Sequence, residues 1–136
     1  MKKRMLIVWM CICILGSTGC GLKSQPVLGS QLLKEGKVTR IEVSSLPEGY
    51  AYSFSGKDAT AIIDYLSGLN LEGNFKENPD QYGGMTWVIS LHYEDRDTVT
   101  VYHFGNLFIR SDSSRWYKMT HEEASRFEAL LNQNHN

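Results

Sequence analysis

Cysteine is missing from everything beyond residue 20, because Cys11, Cys13 and Cys20 are the only three in the chain. Residues 21–136 therefore have no disulfide framework and no thiolate metal site, so a domain built from them rests on its apolar core. Positive charge is in short supply over the same stretch. Setting aside Lys2, Lys3 and Arg4 at the extreme N-terminus leaves 11 of the 14 basic residues against 15 acidic ones, a net of −4. A mildly acidic domain has no basic face with which to displace the counterions of a polyphosphate, which argues against nucleic acid as a partner. Long apolar runs are lacking too. The run Met5–Leu15 has eleven residues, and a helix of that length covers about half of a ~30 Å hydrocarbon core. Neither an internal repeat nor a low-complexity tract is present.

The features that are present begin at the N-terminus. Three positive charges, the apolar run and the small residues Gly16 to Gly19 make the tripartite pattern of a secretory signal peptide. Ser17-Thr18-Gly19-Cys20 resembles the lipobox of bacterial lipoprotein precursors, with Ser17 where that pattern usually carries leucine. The resemblance covers about the first 20 residues. It implies cleavage before Cys20, acylation of the Cys20 thiol, and residence at the outer face of the cytoplasmic membrane, or at an outer membrane where the source has one. Acyl chains contribute roughly 0.8 kcal/mol per buried CH₂, and two or more anchor stably, so membrane lipid is the first expected partner. Residues 1–19 are thus expected to be a signal peptide, residues 20–36 a tether with scattered Gly, Ser, Gln and Pro26, and residues 37–134 a single domain. Leu28, Leu32 and Leu33 have the spacing of a helical turn within the tether.

Beyond the tether, Val38 to Ser45 alternates with a period of two, Thr39, Ile41 and Val43 facing one way, and reads as a strand. Leu46-Pro47-Glu48-Gly49 supplies turn residues, and Tyr50 to Phe54 alternates again to complete a hairpin. Ser55 followed by Asp58 marks a helix start, Ala59, Ile62, Ile63 and Leu66 share one face, and Gly68 is its stop. Leu71 to Gly84 is polar and broken by Gly73, Pro79 and Gly83-Gly84, hence a long loop. Strands are expected over Thr86–Tyr93, Thr98–Phe104 and Leu107–Arg110, with Gly105-Asn106 as a hairpin turn and a short strand near Trp116–Met119. Thr120 and Glu123 form a capping box ahead of a helix whose apolar face is Ala124, Phe127, Leu130 and Leu131. The order ββα–loop–ββββα predicts an α+β domain, a mainly antiparallel sheet of about five to six strands with two helices packed on one face.

Catalytic patterns are sparse. A zinc pair needs both nitrogens about 2 Å from one ion, whereas His92 and His103 fall roughly 10 Å apart or more on a hairpin at ~3.4 Å per residue. His121 opens a helix without the second histidine of HExxH, and His135 lies in the C-terminal tail. Ser53 and Ser55 lack a Gly-x-Ser-x-Gly context; Ser111, Ser113 and Ser114 read as turn residues, and Asp95 and Asp97 fit no EF-hand spacing. No catalytic residue, metal site or cofactor is expected. Aromatic side chains are the stronger signal. Tyr102 and Phe108 cannot both join Val101 and Ile109 on the core face under simple alternation. With Tyr82 in the neighbouring loop they are the candidate binding residues, on a face either exposed or covered by the tether or the Leu71–Gly84 loop. The expected function is a membrane-tethered, non-enzymatic recognition or accessory domain for a protein, peptide or glycan, its partner being an envelope or extracellular protein. The alternative is a small hydrolase or metal-handling lipoprotein whose site is assembled only in the fold.

Overall fold

Two strands that the turn residues Pro47 to Gly49 fold against one another set one end of the architecture, seen in a computed structural model that describes residues 25–112 and 114–133. The signal peptide, Cys20, Ser113 and His135 lie outside the described residues. In chain order the elements are β1 (Val27–Leu28), a 3-10 turn (Gly29–Leu32), β2 (Val38–Leu46), β3 (Ala51–Ser55), α1 (Gly56–Ser67) and β4 (Asn70–Leu71). A second 3-10 turn (Pro79–Gln81) precedes β5 (Thr86–Tyr93), β6 (Val99–Phe104), β7 (Phe108–Ser111), β8 (Tyr117–Lys118) and α2 (His121–Asn132).

Six strands form one antiparallel sheet in the order β3-β2-β5-β6-β7-β8, and β1 pairs with β4 in a two-stranded sheet. The domain is therefore α+β with a mainly antiparallel sheet. Alternation sorts the side chains. Ile41, Val43, Phe54, Trp87, Ile89, Leu91, Val101 and Ile109 are buried on one face. Both helices lie against it, α1 through Ala59, Ile62 and Leu66 and α2 through Ala124, Phe127 and Leu131. At about 25 cal/mol per Å² of apolar surface removed from water, this layer is what holds a domain without cross-links together.

Local chemistry explains the element ends. The capping box of α2 is complete, with Glu123 N–H donating to Thr120 Oγ1 (3.1 Å) and Thr120 N–H donating to Glu123 Oε2 (3.0 Å). Ser55 occupies the N-cap of α1 as its sequence position predicts, yet its side chain makes no capping bond. Gly56 takes a left-handed φ of 57°, a conformation that glycine adopts without steric cost. Thr39 also departs from the alternation expected of it. The β2–β5 register shifts between Val38 and Arg40, leaving Thr39 at a bulge, exposed, with its hydroxyl donating to the His92 carbonyl.

The segment expected as tether is the largest correction to the domain boundaries. Within residues 20–36, the stretch from Val27 onward is built into the fold. Leu32 is buried in the core, Gly29 N–H donates to the Leu69 carbonyl (2.8 Å), and Val27–Leu28 pairs with Asn70–Leu71. The leucine spacing did mark a helical turn, a 3-10 one. Gly29 is needed there because a Cβ would collide with the Leu66 carbonyl oxygen at the C-terminal end of α1.

Candidate functional site

The sheet face away from the helices carries two rows of paired residues at one end. Leu46, Thr86, Phe104, Phe108 and Lys118 make one row; Val88, Tyr102 and Arg110 make the next. Tyr102 and Phe108 are thus both off the core face, where alternation predicted them. The loop between β4 and β5 folds over part of this end. Phe75 packs on Phe108 with ring centroids 5.5 Å apart, Gly84 lies against the ring of Phe104, and Lys118 Nζ donates to Glu77 Oε1 at 2.7 Å. That hydrogen bond holds the Glu77 carboxyl below its ordinary value and the Lys118 ammonium above its own.

Between loop and sheet remains a cleft of about 290 Å³ lined by Leu46, Asp80, Tyr82, Tyr102, Arg110 and Trp116, with Thr86, Phe104 and Pro79 at its base and sides. Its polar centre is one carboxylate and one guanidinium. Asp80 Oδ1 accepts the Trp116 indole N–H at 2.9 Å and lies 3.9 Å from Arg110 Nη1. The Arg110 guanidinium sits over the Trp116 ring at 4.4 Å and over Tyr102 at 5.4 Å, close enough for cation–π attraction to both. Its Nε is buried and has no hydrogen-bond partner among the described residues. Side chains on the rim stay wet: Tyr82 is 55% exposed and Leu46 50%. Met85 and Tyr50 are exposed at the same end of the sheet, and of the exposed large apolar side chains among the described residues only Leu28 stands elsewhere. A more open hollow of about 750 Å³ beside the start of α1, lined by Lys37, Thr39, Lys57, Thr60 and Asp64 among others, holds no aromatic side chain.

Of the candidate binding residues, Tyr82 and Tyr102 come together in the cleft. Phe108 does not; it lies under Phe75 and supports the loop from beneath. Asp80 and Arg110 were missed. For Arg110 the signal was available, since in Phe108-Ile109-Arg110 it shares a face with Phe108 and, through the hairpin, with Tyr102. Asp80 had no signal, because nothing local says that a loop carboxylate meets an indole 36 residues away.

His92 and His103 lie toward opposite ends of the β5–β6 hairpin, as their spacing predicts. His103 is fully buried on the core face, edge-on to Phe127 with centroids 5.3 Å apart. Burial lowers its pKa to about 4, against the small opposing effect of a Phe108 backbone group. Glu128 Oε1, 3.8 Å from Nε2, is too distant for a hydrogen bond and partly solvated. His92 is on the opposite face, between Glu42 Oε2 (2.8 Å from Nε2) and Thr98 Oγ1 (3.2 Å from Nδ1). Among the described residues, no group of three or more His, Cys, Asp or Glu is placed to hold a metal ion, and no helix is long and apolar enough to cross a membrane.

Comparison with known protein families, with curated proteins and with solved structures finds no match.

Proposed function

We propose that this chain is an exported lipoprotein, held at a membrane through Cys20, whose domain is a non-catalytic recognition module reading an extended peptide, protein segment or glycan in the Tyr82–Arg110 cleft. The observation that supports it is the composition of that cleft. Aromatic rings, a partly exposed guanidinium and a wet apolar rim offer flat stacking surface together with a charged donor. Tyr, Trp and Arg are the residues on which binding energy concentrates at interfaces, because large rigid groups bury area at low entropic cost. The Trp116 indole N–H gives a resolved NMR probe. Titrating the protein with solubilised cell-wall glycan, and separately with a digest of envelope proteins, is expected to shift the Trp116 signal with one of them, and Tyr82→Ala to abolish the shift. No response to either set would contradict the reading.

One observation favours the hydrolytic alternative, the chain of contacts Glu42–His92–Thr98. A hydroxyl, an imidazole and a carboxylate in sequence are the elements of an activated nucleophile. They lie on an exposed part of the sheet, and a hydrolase also needs donors for the developing oxyanion. Ester hydrolysis lost in Thr98→Ala and retained in Tyr82→Ala would establish that alternative in place of recognition.

A further inference from the structure

The two edges of the six-stranded sheet are finished differently. At β8 the edge is continued: Glu72 N–H donates to the Lys118 carbonyl and Lys118 N–H to the Glu72 carbonyl, both at 2.9 Å, and β4 then pairs onward with β1. At β3 the edge is bare. No strand pairs with its outer side among the described residues, and Ala51, Ser53 and Ser55 are exposed. Natural sheets protect such an edge with charge, proline or a bulge. The β3 sequence Ala-Tyr-Ser-Phe-Ser has no charged residue and no proline, and its pairing with β2 runs without a register shift.

The ladder determines which backbone groups point outward. Ser45 N–H donates to the Tyr50 carbonyl, so Ser45 and Tyr50 form a hydrogen-bonded pair. Antiparallel pairs alternate, which turns Tyr52 and Phe54 inward to Val43 and Ile41 and leaves the N–H groups of Ala51, Ser53 and Ser55 pointing away from β2. These three are the small residues of the strand. Their side chains lie on the sheet face away from the helices, while Tyr52 and Phe54 lie toward the core.

We propose that β3 pairs antiparallel with β3 of a second copy of this chain, centred on Ser53, to make one sheet running through both. The sequence suits this register. Ser53 meets Ser53 at the dyad and Ala51 meets Ser55, all hydrogen-bonded positions with small side chains; Tyr52 meets Phe54 on the core side, a cross-strand aromatic pair. No like charges face each other within the strand. Glu48 precedes β3 and Lys57 follows it, so antiparallel pairing brings Lys57 of one copy to the end where Glu48 of the other lies, with Asp58 a residue further round the helical turn. A two-fold interface of this kind is self-complementary and closed, so it stops at the dimer. The inference is independent of what the cleft binds and of the anchor.

Cysteine scanning of the full-length chain tests it, since the domain beyond Cys20 has no thiol of its own. Hydrogen-bonded antiparallel pairs have Cα atoms about 5.5 Å apart, within the range of about 4.4–6.8 Å that a disulfide spans. In this register two copies of residue 51 are about 14 Å apart at ~3.4 Å per residue. Under mild oxidation, Ser53→Cys is expected to give a covalent dimer many times faster than Ala51→Cys or the native chain. An equal mixture of Ala51→Cys and Ser55→Cys is expected to give the mixed dimer. Ser53→Lys, at an exposed position, is expected to keep the native circular dichroism spectrum while weakening self-association of the otherwise native chain in sedimentation. Equal crosslinking at 51 and 53, crosslinks only to other proteins, or a native chain that sediments as a monomer unaffected by Ser53→Lys would overturn the proposal.

Discussion

Asp80 Oδ1 accepts the indole N–H of Trp116 at 2.9 Å and so ties the β4–β5 loop to the sheet across 36 residues of sequence. The same oxygen faces Arg110, whose guanidinium is sandwiched in sequence and space between Tyr102 and Trp116. The carboxylate is largely exposed, which limits its contribution to about 1 kcal/mol. Asp80→Ala is expected to lower global stability by no more than that while clearly accelerating amide exchange through residues 75–85. Asp80→Asn, which keeps an acceptor oxygen, is expected to restore much of the protection. Unchanged exchange in the alanine variant would mean that the loop is held by its other contacts, Phe75 on Phe108 and Lys118 to Glu77.

His103 makes stability depend on pH. Its folded pKa of about 4 lies below the ordinary 6.5, so between those values the unfolded chain binds more protons than the folded one. Stability contributed by the neutral imidazole is complete above 6.5 and is lost as pH falls toward 4, by about 3 kcal/mol at most. His103→Phe is expected to flatten the stability profile across that window in denaturant titrations, relative to the native chain. Parallel profiles for the two proteins would show that His103 is not the titrating group.

Leu32 measures how far the domain extends toward the N-terminus. It is 1% exposed, and emptying a buried leucine site costs about 2–5 kcal/mol. Leu32→Ala is expected to lose an amount in that range. Gly29→Ala is expected to destabilise as well, because its methyl meets the Leu66 carbonyl oxygen and the backbone must move. A substitution at exposed Gln25 is the control and should be neutral. If Leu32→Ala were neutral in chemical denaturation, residues 27–33 would be a tether after all.

Glu123 joins two elements with one carboxylate. Oε2 accepts the Thr120 N–H and Oε1 accepts the Asn70 N–H, both at 3.0 Å, so the start of α2 and strand β4 share an acceptor. Thr120→Ala removes only the cap and is expected to cost about 1 kcal/mol. Glu123→Ala is expected to cost more than Thr120→Ala and to raise amide exchange at Asn70, which Thr120→Ala should leave protected. Equal losses, with Asn70 unaffected, would reduce Glu123 to an ordinary capping partner.

Elements whose cause is local were legible in the sequence. The alternation of Thr86–Tyr93 matches β5 residue for residue, and the Thr120–Glu123 box fixed the start of α2. Tyr102 and Phe108 were placed on the second face by period alone. Where the cause is a distant partner, the reading fell short. Gly29 and Leu32 gain their meaning only from the end of α1, and Asp80 only from Trp116. The loop predicted over Leu71–Gly84 begins as strand β4 because Val27–Leu28 comes back to pair with it. Phe108 was assigned to binding because alternation reports a face and not what lies on top of it; Phe75 covers it.

The proposed recognition module requires the domain to be held at the envelope, and the first test of this is the mass of the mature protein. Native chain and Cys20→Ala are to be compared after fractionation into membrane and soluble parts, with intact mass measured on each. The expected result is that the native form has lost its first 19 residues, carries the added mass of acyl chains and fractionates with the membrane, while Cys20→Ala does neither of the last two. A native protein that is soluble and without acyl mass would contradict the tethered recognition module outright.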